Sequence, residues 1–178
     1  MWLFFFGFLL VFAEFPITVP LTGGTVDLLP AFLGFALLFL GAKKMSMENL
    51  HFRRIRIATL PAFAVSAVHF VVAILHLDLA FFSYDVAELI LLILTVAAKL
   101  YIAYEFTEAV KKIERSHYKK FGADKLASAW IILCMTSLLG FLVAVLPSIA
   151  LPQLVVHLLA VVWFEASVFG VARTLKKQ

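Results

Sequence analysis

Five ionisable residues lie inside long apolar stretches of this sequence: His69, Glu88, Lys99, His157 and Glu165. In hydrocarbon such groups cost several kcal/mol unless they are paired, neutralised or able to snorkel outward. They are therefore the candidates for handling a proton, an ion or a small substrate. Glu88 and Lys99 are eleven residues apart, with Thr95 between them. On a helix that spacing returns to nearly the same angle, about 16 Å further along the axis. The two share a face but cannot meet, so each needs a partner from another segment.

Counting inward from the segment ends supplies those partners. Lys99 and Glu165 reach a similar depth, and so do Glu88 and His157, which predicts one pair of each kind. Ala62, Ser66, His69, Ala73 and His76 form a small and polar stripe at helical spacing. Together these residues predict a polar seam among the third, fourth and sixth segments, with His69 near the midplane. The plain alternative is structural: Lys99 can snorkel toward the headgroups, and a lone histidine in a bundle is more often a packing residue than a catalyst.

Glu14 and Asp27 form a second candidate, an outer vestibule flanking the turn-rich stretch PITVPLTGG. Asp27 has a simpler expected role as N-cap of the second helix, where a carboxylate meets unpaired N–H groups. Two acids at unknown separation do not define a metal site. Phosphate loops and the HExxH, CxxC and GxSxG patterns are missing from the sequence. No catalytic residue, cofactor or metal is assigned, and an enzyme is the least favoured class. Cys134 has no second cysteine to pair with and reads as a buried thiol.

The elements that must hold these groups follow from composition. Of the 178 residues, 64% are hydrophobic and 15% charged, with mean hydropathy +1.06. A soluble domain is about half apolar and about a quarter charged, and it could not hide this much apolar surface. The apolar runs have membrane-crossing length. The expected fold is all-α: a polytopic helical membrane protein forming one integral membrane domain over 1–178. About six segments are expected, Trp2–Val19, Val26–Ala42, Ile57–Leu77, Tyr84–Phe106, Lys125–Leu146 and Pro152–Ala172. The first two read as short or broken, because Glu14 and Pro16 interrupt one and the other covers only about 25 Å of a core about 30 Å thick. The N-terminal run has no preceding Lys or Arg and reads as a retained span rather than a signal peptide. Pro61 and Pro152 are expected in first helical turns, where a missing N–H costs little.

Charge then sets direction. Lys43, Lys44, Arg53, Arg54 and Arg56 lie between segments two and three. Lys111, Lys112, Arg115, Lys119, Lys120 and Lys125 lie between four and five, and Arg173, Lys176 and Lys177 close the chain. The alternate connections hold no Lys or Arg. Basic residues are retained in the cytosol, so a multi-pass cell-membrane protein with both termini cytoplasmic is expected. Nucleic-acid binding is not, despite a pI near 9.3. Segment four is expected to continue as a cytoplasmic helical extension over about 107–121, carried by the face Phe106, Val110, Ile113 and His117. A Glu108–Lys112 pair should support it, with Gly122 as its C-cap and Asp124 as N-cap of helix five. Its basic side could meet anionic lipid headgroups.

Small residues suggest where helices meet: Gly34 and Gly41; Thr136, Gly140 and Ala144; Ala166 and Gly170. They would serve contacts within the chain or a homo-oligomer. Residues 25–45, with Asp27, Leu28, Leu29, Pro30, Gly34, Gly41, Lys43 and Lys44, resemble a segment common in small, functionally uncharacterised membrane proteins of Gram-positive bacteria. Ala31 departs from that pattern, which is often acidic there. The resemblance implies a class but no activity. Two functions are therefore weighed: an accessory or structural membrane protein with a basic cytoplasmic face, and a small transporter or permease-like protein using the seam.

Overall fold

The computed structural model describes residues 1–12, 16–18, 25–27, 31–47, 49–75, 84–117, 120–143 and 146–176. These form an all-α fold of six helices: α1 (Trp2–Phe12), α2 (Ala31–Met45), α3 (Leu50–Leu75), α4 (Tyr84–His117), α5 (Ala123–Leu142) and α6 (Ala150–Lys176). Between α1 and α2, strands β1 (Pro16–Thr18) and β2 (Thr25–Asp27) pair antiparallel, Pro16 opposite Asp27 and Thr18 opposite Thr25.

That hairpin corrects the first two expected segments. α1 ends at Phe12, and Pro16 opens β1, where its missing N–H suits the start of a strand. Asp27 sits in β2, four residues before α2 begins at Ala31, so it is not the cap of that helix. Glu14 and Gly23–Gly24 lie outside the described residues.

The third expected segment also starts earlier. Asn49 caps α3, its Oδ1 accepting the His51 N–H at 3.1 Å, the N-cap geometry that satisfies a first-turn donor. The helix therefore begins at Leu50, Arg53, Arg54 and Arg56 are helical, and Pro61 lies inside the helix rather than in its first turn. At the other junction the expected caps are replaced. Gly122 has φ 95 and is the N-cap of α5, while α4 has already ended at His117. Glu114 Oε1 accepts the backbone N–H of Ala123 at 2.9 Å and that of Phe121. A carboxylate from the preceding helix thus does the work expected of Asp124, which lies in the first turn without capping it. Glu108 pairs with Lys111 at 2.7 Å, one residue short of the expected Lys112.

The helices contact one another in chain order, and α6 closes the ring on α1. The phenylalanines of α1 fill the centre. Phe4 lies 5.4 Å from Phe52 of α3 and 4.8 Å from Phe106 of α4, and Phe8 lies 5.3 Å from both Phe106 and Phe164 of α6. Such tilted and edge-on pairs add about 0.5–1.5 kcal/mol each beyond burial. Gly7 and Gly34 let α1 and α2 touch through backbone: a Cβ on Gly34 would sit 2.7 Å from the Gly7 carbonyl oxygen. Gly41 faces Phe4 in the same seam, so the predicted Gly34–Gly41 face is the one that receives α1. Ala166 and Gly170 instead face outward, with nothing within 4 Å of a Cβ on Gly170.

Among the described residues, two helices are long and apolar enough to cross a membrane, Ala123–Leu142 and Ala150–Leu175. Many of their large apolar side chains point away from the bundle, including Met135, Leu138, Leu154, Leu158 and Val162. Monomeric soluble proteins rarely expose a contiguous apolar surface of this extent.

Candidate functional site

A cavity of about 250 Å³ opens where α4, α5 and the first two turns of α6 meet the end of α1. Phe12, Leu92, Val96, Leu100 and Phe141 form its apolar wall. Its polar wall is Lys99, Ser137, Gln153 and His157. Lys99 is only 8% exposed. It is held within the bundle and does not snorkel outward.

The polar wall is built by hydrogen bonds between α5 and α6. Thr136 Oγ1 donates to the Leu133 carbonyl at 3.1 Å, as a helical hydroxyl commonly does. The same hydroxyl lies 3.2 Å from His157 Nδ1. Gln153 Nε2 donates to the Thr136 carbonyl at 3.2 Å, and Ser137 Oγ donates to the Leu133 carbonyl at 2.8 Å. Gly140 gives the Gln153 amide room: a Cβ there would meet Nε2 at 3.2 Å.

Two of the five predicted seam residues, Lys99 and His157, therefore line one cavity. Glu165 does not line it. Both Glu165 oxygens are buried, and among the described residues neither has a hydrogen-bond partner. The expected Lys99–Glu165 hydrogen bond is not formed. Glu165 lies two turns from His157 on the same row of α6, between the buried Phe164 and Val168 toward the chain's end. His69 and Glu88 fall on α3 and α4. Their side chains, and with them the Glu88–His157 pair, lie outside the described residues, as does the Asp27 side chain.

A second polar cluster joins α3 to α4 near the basic residues. Glu105 is 2% exposed. Its carboxylate meets His51 Nδ1 at 2.7 Å and Arg54 at 3.3 Å. Four residues along α4, the Ala109 carbonyl accepts from Asn49 Nδ2 at 3.3 Å. A carboxylate buried this far from water is tolerable only when so paired. Glu105 is not among the acids that the sequence singles out, since it stands one residue before the end of the fourth apolar segment. Its partners are not singled out either, because His51 and Arg54 read as part of a basic connection until Asn49 starts the helix beneath them. Gln153 and Ser137 carry no sequence signal beyond their helical neighbours.

Among the described residues, no three His, Cys, Asp or Glu side chains gather as a metal site. Comparison with protein-family models, curated proteins and solved structures finds no match.

Proposed function

We propose that this chain is a small multi-pass membrane protein of accessory or structural type, its six helices threading the bilayer with the basic end and both termini in the cytosol. One observation carries the reading. The described Lys and Arg residues other than Lys99 lie at one end of the bundle. They occupy the last turn of α2, the first two turns of α3, the last two turns of α4, the first turn of α5 and the last turn of α6, with Lys120 between α4 and α5. The opposite end holds the hairpin and the Pro147–Ile149 turn, without a described Lys or Arg. Retention of cations in the cytosol accounts for this sorting.

At 1.5 Å per residue α1 covers about 16 Å, too little for a core of about 30 Å. In this reading α1 crosses together with β1, and α2 returns with β2. Strand backbone at membrane depth is tolerated where protein surrounds it, and contact of β2 with α3 supports such shelter. The outward leucines of α5 and α6 then meet lipid, and the basic end meets anionic headgroups, each cation contributing about 1 kcal/mol near the surface. Reporter tags at Gly23–Gly24 and beside Arg54 test the topology. Opposite compartments are expected; the same compartment for both would end the six-span reading.

The cavity favours a second reading, a transporter or permease-like protein whose polar seam centres on Lys99 and His157. Proton- or ion-linked flux in liposomes, lost on Lys99→Ala, is its expected signature. Equal flux from wild type and variant would remove Lys99 from the path.

A further inference from the structure

We propose that Glu165 is a proton-binding site, a carboxylic acid held in its neutral form inside the bundle. The inference goes beyond both functional readings and depends on neither, since it needs only the packing of the helices. A buried carboxyl is tolerated as an anion where a base or several hydrogen bonds meet it, and otherwise it keeps a proton. The structure removes the other ways out. Glu165 is 6% exposed. Both of its oxygens are buried, so its stem does not carry the charge to water. Among the described residues neither oxygen has a hydrogen-bond partner. The ligand that answers such a site is a proton, and one is enough, because it removes the charge.

The surroundings supply no base. α6 packs against α5, α1 and the Pro147–Ile149 turn. That turn has no ionisable side chain, and neither has α1; the Met1 ammonium stands before α1, in reach of Lys44. On α5 the ionisable groups are Asp124 and Lys125, both exposed in the first turn, and Cys134. On α4, Lys99 lies on the cavity wall with His157, and Glu105 is engaged by His51 and Arg54. Along α6 itself, His157 stands two turns before Glu165, and the exposed Arg173 two turns after. None of these makes a hydrogen bond to a Glu165 oxygen.

Aromatic rings close the site. Phe164, the residue before, lies 5.3 Å from Phe8 and 5.7 Å from Phe12 of α1. Phe169, one turn after, lies 5.5 Å from Phe5 and 5.4 Å from Trp2. α6 is thus fastened to α1 on both sides of Glu165. Loss of the proton would strand a bare charge beside those rings, so the proton leaves as α6 moves and water or a base reaches the oxygens. Proton occupancy is in this way tied to the seating of α6.

Carbon-13 magnetic resonance of the full chain in phosphatidylcholine nanodiscs, labelled at the glutamate side-chain carboxyl, tests the proposal. The chain has seven glutamates, and at pH 6 an exposed one is about 98% ionised. Glu165→Gln identifies the site by the resonance it loses. Glu165→Asp also removes one labelled carboxyl and makes the same assignment should the first variant misfold. Loss of a resonance at the neutral-acid position at pH 6 is expected; loss of one at the carboxylate position would overturn the proposal. Dicyclohexylcarbodiimide gives a second readout. The acid O–H adds across a C=N bond of the reagent, and the O-acylisourea formed rearranges to a stable N-acylurea, with no further reactant. Label is expected on Glu165 and absent from the paired Glu105, and the reverse pattern would overturn the proposal. Proton-linked flux with an ionised Glu165 removes the proton site and keeps the transport reading. A neutral Glu165 without flux does the reverse.

Discussion

Glu105 and Glu165 are both glutamates buried on long helices, and their surroundings are opposite. Glu105, near the basic end, meets His51 and Arg54. Glu165, within α6, has two buried oxygens and no described hydrogen-bond partner. Burial alone therefore says little about what a carboxyl contributes. The first ties α3 to α4 at a place where losing one partner strands a charge. The second costs free energy where it stands. A group retained at such cost is the kind of residue found where function rather than stability set the choice. The cavity beside Lys99 draws on the first turns of α6, and Glu165 lies further along that helix toward the basic end.

Substitutions can break this comparison. The largest effect is expected for the double variant His51→Ala/Arg54→Ala, which strands the buried Glu105 carboxylate and should cost about 3–5 kcal/mol. Unfolding in mixed micelles measures it; a change within error would mean that the cluster is incidental. Glu165→Leu should move the same measurement the other way, by about 1–3 kcal/mol toward stability, because an apolar side chain relieves an unmet desolvation cost. Destabilisation instead would show that the carboxyl is paired. A smaller pair of variants sharpens the packing side. Gly34→Ala places a methyl 2.7 Å from the Gly7 carbonyl oxygen, which helix backbone cannot yield cheaply, so a loss of about 1–3 kcal/mol is expected. Gly170→Ala enters open space and should stay within about 0.5 kcal/mol. Equal effects at the two glycines would contradict the α1–α2 contact.

Several elements were legible before the structure because they depend on local chemistry. Pro16 reads as an interruption of the first apolar run, and six apolar runs gave six helices. The hairpin was less visible. Three-residue strands are too short to show an alternating pattern, and Pro16–Thr18 looked like the frayed tail of a span. Asn49 carries a readable N-cap signal, but the basic run after it reads as a connection, and the apolar pattern begins at Ile57, seven residues after α3 does. The site was half legible. Lys99 and His157 stood out as polar groups in apolar sequence and do share a cavity. Their wall partners Ser137 and Gln153 are ordinary polar residues until α5 and α6 are set side by side.

What the amino-acid order determined is the inventory: apolar lengths, cations gathered into alternate connections, and a handful of ionisable groups with nowhere wet to go. Those properties are read along one strand of covalent chain, and no fold has to be known to state them. Which buried acid meets a base was decided only by tertiary structure. Each residue turns a helix by about 100° and advances it 1.5 Å, so matching depth on two helices does not match their faces. Counting along the sequence matches Glu165 to Lys99 in depth, yet the Glu165 oxygens form no hydrogen bond among the described residues. Glu105 is joined to His51 and Arg54 by the packing of α3 against α4.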